Sequence, residues 1–574
     1  MRKYWDILKK YKLSLAISPF LVAVTVLCET IQPLFMAKII DNGVMIKDIS
    51  VVTEFGAYMV GISILGLFFS VLNILVSSKV SIGFGTDLRT DLFNKIQDLS
   101  FSEIDKFSSA SLITRLTNDI TRIQQVILMA MRLMLRSPLT LILAVFFVLH
   151  INADLALILL AVIPILGVSI YLILRKGFPL FMKVQQKVDQ LNAVVRENLI
   201  NIRVVKSFVR EDFESKKFEK SSEDLRDMVI RASNIVVSIF PVMQLIMNIS
   251  VIVILWIGGG KVMTGELKVG ELISFVNYLM QILMALMLLS MVIVNVARAS
   301  ASSERILEVL DTESSLVNKP EAALNKYEIK EGNVTFKNVY FRYSGGENDV
   351  LKDINFQITQ GETIAVVGAT GAAKTSMVQL IPRLYDVTSG AILIDGIDVK
   401  DYELDELHAE IGMVLQKNEL FTGSIIENIR WGKPDASIEE VEAAAKAAEA
   451  HNFIMSFSEG YDTMLGRGGV NVSGGQKQRI CIARALLRKP KILILDDSTS
   501  AVDSETEQRI RHNLSELLSK TTVFIITQRI NTMQSADRII VLEDGEVEAI
   551  GSPSELIEKS EVYREIYNSQ QIAF

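Results

Sequence analysis

Residues 362–380 read ETIAVVGATGAAKTSMVQL. The first six, ETIAVV, are a short β-branched apolar run of the kind that makes a buried strand. The run opens into Gly368-Ala369-Thr370-Gly371-Ala372-Ala373-Lys374-Thr375-Ser376, and a helical pattern follows from Met377. Strand, glycine loop, Lys-Thr and helix is the geometry of a phosphate-binding loop. Backbone N–H groups and the helix amino terminus face the anion, Lys374 reaches the outer phosphates, and Thr375 offers a hydroxyl to Mg²⁺. The usual spacing has glycine directly before the lysine, where this chain has Ala373.

Working outward, residues 491–495 (KILIL) form a second apolar strand that ends in Asp496-Asp497. A carboxylate at the carboxyl end of a strand, level with the phosphate loop, is where an acid holding Mg²⁺ belongs. Between the two strands lies Val472-Ser473-Gly474-Gly475-Gln476, two glycines leading into a long helical pattern and hence another anion-facing helix start. Short β-branched runs alternate with helical patterns from residue 333 to the end, the mark of an α/β domain. Residues 311–332, with Pro320 and Gly332, read as a linker.

The other half is different in kind. Half of the 574 residues are hydrophobic, 22% are charged and mean hydropathy is +0.34. Six apolar blocks, 13–40, 51–76, 135–151, 155–174, 235–262 and 272–296, carry most of that. Most reach the ~17–25 residues that a helix needs to cross a bilayer. Cys28 and Cys481 are too few and too far apart for a zinc cluster or a disulfide framework. The net charge of −7 argues against a chain built to coat nucleic acid.

Arg2, Lys3, Lys9, Lys10 and Lys12 keep the amino end cytoplasmic. The first block is too long for a cleaved signal peptide. Residues 77–134 and 175–234 are long, charged and helical in pattern, so they extend the spans into the cytoplasm as hairpins. An even number of spans places the carboxyl-terminal half there too.

Together these pieces resemble a half-transporter of the ATP-binding cassette (ABC) exporter family: six transmembrane helices (residues 1–310) fused to one nucleotide-binding domain (333–574). VSGGQ resembles the family's signature and KILILDD its Walker B motif. Gln416 resembles the Q-loop glutamine, Tyr343 the aromatic that stacks on adenine, and Ser500-Ala-Val-Asp503 the D-loop. The resemblance implies ATP and Mg²⁺ as ligands, with Thr375, Gln416 and Asp496 toward the metal and residues 368–376 on the phosphates. It also implies that Ser473, Gly474, Gly475, Gln476 and Asp503 complete a site on the opposing subunit.

Two departures concern catalysis. The family's catalytic glutamate is here Asp497, and its switch histidine is Gln528. The shorter acid misplaces the attacking water, which can cost ~10²-fold. Losing a positioned contact to the γ-phosphate costs ~10²–10³-fold by analogy with oxyanion donors. Poor hydrolytic groups beside an intact signature point to a heterodimer. In it a non-identical half-transporter supplies the intact glutamate and histidine, as in bacterial heterodimeric multidrug exporters whose degenerate subunit this pair resembles. Arg467, before the signature, stands where a glutamate usually contacts the opposing coupling helix, a sign of a differently charged partner or of drift in a solvated loop.

Coupling helices are expected near residues 108–112 and 209–213. Met280, Met284, Met287 and Met291 fall on one helical stripe that suits promiscuous apolar binding or ordinary packing. Glu29 within the first block is a candidate for attracting cationic amphiphiles, or else makes an interhelical hydrogen bond. Arg132 and Arg136 are expected to snorkel to the interface. The substrate expectation is a hydrophobic or cationic amphipathic drug in contact with membrane lipid. Peptide or lipid export and nucleotide sensing without transport are the alternatives.

Overall fold

The computed structural model describes residues 2–319, 327–497 and 502–571. It divides into two compact units, Met1–Lys95 with Ala110–Asp311, and Ile96–Ser109 with Thr312–Phe574.

The first unit is helical. Among the described residues, six stretches are long and apolar enough to span a membrane: Lys3–Val44, Ile49–Gln97, Ser109–Ile151, Ala153–Ile200, Glu211–Met263 and Val269–Leu289. Large apolar side chains such as Phe68, Ile64 and Trp256 stand exposed on their outer faces, as a lipid-facing wall requires. Inside the bundle the Tyr278 ring stacks on Phe147 at 5.7 Å, and its hydroxyl donates to the Thr30 carbonyl at 2.6 Å. The buried Asp119 accepts from Ser302 at 2.8 Å and from Arg305 Nε at 2.8 Å, and Arg115 pairs with Glu308 at 3.0 Å. These bonds tie the first hairpin to the extension of the last helix, Val269–Asp311.

Short helices lie at Phe101–Phe107 and Ile202–Ser207, and the helices Ser109–Thr114 and Glu211–Val237 begin within the expected 108–112 and 209–213. The reason is local. Ser100 and Glu103 form a capping box that starts the first of them, and positive φ at Ser108 and Val209 ends each tip.

The second unit holds two main sheets. Strands β1 (Val334–Phe341), β2 (Leu351–Ile358), β4 (Ser389–Ile394) and β5 (Ile397–Asp398) pair antiparallel in the order β2-β1-β4-β5. The short strands β7 (Gly423–Ser424) and β8 (Met464–Leu465) pair apart from a central sheet of order β12-β11-β3-β10-β9-β6. It comprises β3 (Thr363–Val367), β6 (Ile411–Val414), β9 (Ile492–Asp496), β10 (Thr522–Ile526), β11 (Arg538–Glu543) and β12 (Glu546–Gly551). Strands β3, β10, β9, β6 and β11 run parallel, and β10 sets Ile526 opposite Val366 on one side and Asp496 on the other. Three strand ends distant in sequence therefore meet at one edge, where ligands of open α/β sheets bind.

Candidate nucleotide site

A cavity of about 370 Å³ opens at that edge. Its wall includes Thr370, Gly371, Ala373, Lys374, Thr375 and Ser376 from the loop after β3. Gln416, Asp496, Asp497 and Gln528 join them from the ends of three neighbouring strands. Residues singled out separately in the sequence thus converge on one pocket. No histidine is among the residues that line it.

The loop's backbone explains its glycines, and its alanine is out of keeping. Gly368 has φ +147, and a Cβ there would meet the Leu542 carbonyl oxygen at 2.2 Å. Gly371 has φ +92. Ala373, the residue before the helix Lys374–Gln379, is left-handed at φ +67. For an L-residue that conformation costs roughly 1–2 kcal/mol. The alanine therefore adds strain as well as a methyl group. Ala369 O and Gly368 O each accept from Lys374 Nζ at 2.8 Å, and Ala372 is buried in the core beneath.

Thr375 Oγ1 donates to Asp496 Oδ1 at 3.2 Å. A hydroxyl and one carboxylate at this spacing, with Gln416 on the same wall, suit Mg²⁺, which takes few protein ligands and completes its octahedron with water and phosphate. Burial lowers the Lys374 ammonium below its usual value, opposed by Asp496 and Asp497. Burial raises both carboxyls. Thr375 and Lys374 oppose the rise at Asp496, and Arg529 and a Gln416 hydrogen bond oppose it at Asp497. Such a site favours a cation and a polyanion arriving together.

Asp497 sits at φ +47, a conformation that aspartate tolerates better than most residues. Tyr343 lies beside the loop helix, its hydroxyl 2.8 Å from Ser376 Oγ and its ring edge-on to Phe341 and Tyr385.

Ser473, Gly474, Gly475 and Gln476 do not line the cavity. Ser473 caps the helix Gly474–Leu487: its N–H donates to Gln476 Oε1 at 2.9 Å, and Gln476 N–H donates back to its hydroxyl at 3.3 Å. Asp503 caps the helix Ser504–Leu517 through Thr506 N–H at 2.9 Å. Ser500 and Ala501 lie outside the described residues. Sequence reasoning missed Arg529 and Glu507. Arg529 donates to Glu507 and to the Val502 carbonyl, and Thr532 donates to Glu507 at 2.5 Å. The only signal was charge beside the switch position and in the helix after Asp503.

In the membrane unit, Arg136 is paired with Glu29. Its Nη2 donates to both Glu29 oxygens at 2.7 Å, so Glu29 is compensated and is no bare trap for cations. Arg132 is likewise engaged, by Ser77, Ser78 and the Ile74 carbonyl. Met280, Met284 and Met291 are exposed, whereas Met287 packs against the helical core, so the stripe is only partly open.

Residues 15–286 match the family described as ABC transporter transmembrane region, and residues 351–500 match the family described as ABC transporter. Over 570 residues the chain is 42% identical to the uncharacterized ABC transporter ATP-binding protein YfiB of Bacillus subtilis (strain 168), covering 99% of this chain and 98% of that one. It is 35% identical to the putative multidrug export ATP-binding/permease protein YgaD of the same strain (strain 168), over 85% of this chain and 83% of YgaD. It is 32% identical to the ATP-dependent lipid A-core flippase of Desulfotalea psychrophila (strain LSv54 / DSM 12343), covering 99% of both. A solved structure of a bacterial Atm1-family ABC exporter with ATP bound superposes with TM-score 0.82 at 26% identity, over 98% of this chain and 99% of that one.

Proposed function

This chain belongs to the ABC exporters, a multi-pass cell-membrane half-transporter with its ATPase domain fused behind six spans, and from that premise we propose that it is the hydrolysis-impaired half of a heterodimer exporting amphipathic drugs or other hydrophobic compounds. One observation carries the reading. Asp497 and Gln528 stand on the wall of the same cavity as Lys374, Thr375, Asp496 and Gln416, in the places where the family has glutamate and histidine.

In this reading Lys374, the loop N–H groups, Thr375 and Asp496 hold MgATP, and Tyr343 meets the adenine. The site retains nucleotide and turns it over slowly. Ser473, Gly474, Gly475, Gln476 and Asp503 face the partner's nucleotide and complete the site that hydrolyses quickly. ATP binding favours closed nucleotide domains. The hairpins pass that closure to the spans as a population shift driven by differential ATP affinity. The relative named for multidrug export supports the substrate class.

The test is to purify the chain alone and together with a half-transporter bearing the intact glutamate and histidine, then to compare ATPase rates with and without amphipathic drugs. The pair is expected to hydrolyse ATP much faster than the chain alone and to respond to drug. Equal rates from the chain alone overturn the degenerate-site reading.

A further inference from the structure

The Glu29–Arg136 pair belongs to no part of the nucleotide machinery. Arg136 Nη2 donates to both Glu29 oxygens at 2.7 Å, joining the helix Lys12–Lys38 to the helix Arg136–Ile151. Their side chains remain 38% and 41% exposed, so the pair forms part of a surface. Charges within membrane spans face the bundle interior or a water-filled cavity, because acyl chains solvate neither charge. A pair with both side chains more than a third exposed offers a polar surface to whatever faces these two helices.

The patch has unused capacity on both sides. A guanidinium carries five N–H donors. Only Nη2 of Arg136 makes a hydrogen bond among the described residues. Each Glu29 oxygen accepts one bond from it and has a lone pair left.

Taking the exporter reading as its footing, we infer that Glu29 and Arg136 form a headgroup site selective for zwitterionic amphiphiles, those with an ammonium and a phosphate or carboxylate in one headgroup. Laid antiparallel on the pair, such a headgroup sets its anion on the free N–H groups of Arg136 and its ammonium beside Glu29. All four charges stay compensated. A simple cation has to draw Glu29 from Arg136 and leaves an unpaired guanidinium in an apolar wall. A simple anion leaves the carboxylate in the same state. Breaking such a pair by taking one partner is strongly unfavourable, and that penalty is the source of selectivity.

The experiment uses the full chain in nanodiscs and equilibrium binding of three radiolabelled single-chain probes of equal tail length: dodecylphosphocholine, dodecyltrimethylammonium and dodecyl sulfate, all below their micelle concentrations. The wild type is expected to bind the phosphocholine about tenfold more tightly than either ion. Glu29→Gln is expected to move the preference to the sulfate, and Arg136→Gln to the ammonium. The double exchange Glu29→Arg, Arg136→Glu restores a compensated pair and with it the phosphocholine preference.

Equal affinities for the three probes in the wild type overturn the inference, and that measurement needs no variant to fold. So do single variants that weaken all probes alike, which is the mark of a purely structural pair. Drug-stimulated ATPase of the assembled transporter is recorded in parallel. If stimulation persists while the probes bind equally, the headgroup site fails and the exporter reading stands. If no amphiphile of any charge stimulates, the exporter reading fails.

Discussion

The Tyr385 hydroxyl donates to Asp105 Oδ2 at 2.8 Å, and the Tyr385 ring lies 6.1 Å from that of Phe101. Asp105 and Phe101 belong to the short helix Phe101–Phe107, and Tyr385 stands a few residues after the phosphate-loop helix Lys374–Gln379. One aromatic side chain thus joins the tip of the first hairpin to the segment that follows the nucleotide loop. Its ring also meets Phe341 and Tyr343. Tyr385→Phe removes one hydrogen bond, worth about 0.5–1.5 kcal/mol, and keeps the ring. Tyr385→Ala removes both contacts. ATP-analogue affinity is expected to stay near wild type in the phenylalanine variant, with drug stimulation of ATPase falling several-fold in the alanine variant. An alanine variant that keeps full stimulation excludes this contact from coupling.

Ala373→Gly removes a left-handed alanine and its methyl group from the phosphate loop. Relief of about 1–2 kcal/mol of strain is largely offset in overall stability by the greater freedom of glycine in the unfolded chain, about 0.4–1 kcal/mol. The melting temperature should therefore hardly move. Nucleotide affinity should rise about fivefold, the equivalent of ~1 kcal/mol, as read by titration with a fluorescent ATP analogue. An unchanged affinity would show that the loop already adopts its binding geometry at no cost.

Asp497→Glu with Gln528→His rebuilds the family's hydrolytic pair in the cavity. In the proposed heterodimer, ATPase at this site is expected to rise by about tenfold or more. The gain is partial, because position 497 holds φ +47, a strain of roughly 1 kcal/mol for glutamate. Single-turnover hydrolysis with the partner's own site disabled isolates the effect. No increase would make the loop strain at Ala373 or the partner's signature the limiting feature.

Asp395 receives four backbone N–H groups, from Lys330, Glu331, Gly332 and Asn333, at 2.8–3.0 Å. Burial alone raises its carboxyl, yet these four donors outweigh burial and hold it below the ordinary carboxylate value. A carboxylate held down in the fold stabilises it above the unfolded value near pH ~4, and loses that contribution as falling pH protonates the folded form. Asp395→Asn leaves N–H donors poorly matched, at about 1–3 kcal/mol. The melting-temperature gap between wild type and variant should be widest above about pH 5 and close toward pH ~3. A gap independent of pH would assign the loss to packing.

Glu507 is buried, and it holds Arg529 and Thr532 while Arg529 also grips the Val502 carbonyl. Glu507 is 3% exposed but Arg529 34%, so neutralising Glu507 costs less than the ~3–5 kcal/mol of a fully buried ion pair. Glu507→Gln should lower the melting temperature of the full chain by several degrees and, if the proposed heterodimer forms, slow ATP hydrolysis at the partner's site to which Asp503 is proposed to contribute. A variant as stable as wild type would mean that Arg529 finds another acceptor.

What could be read from the sequence alone was local. Six apolar blocks specify spans because bilayer thickness sets a helix length. Residues 362–376 specify a phosphate loop because strand, glycines, lysine and threonine are consecutive. Ala373, Asp497 and Gln528 are legible as departures because each sits at a fixed offset from a motif. The capping box of Ser100 and Glu103 was equally legible and marks the start of the helix Phe101–Phe107.

Tertiary structure alone decided which distant residues meet. Parallel pairing in the order β3-β10-β9 brought Val366, Ile526 and Asp496 to one edge and so gathered the cavity. Helix packing turned Glu29 and Arg136, two isolated charges in the sequence, into one neutral pair. The same holds for Glu507 with Arg529. Helix and loop preferences act over a few neighbouring residues, whereas charge compensation and strand order depend on which surfaces the fold buries together. No spacing in the chain encodes that.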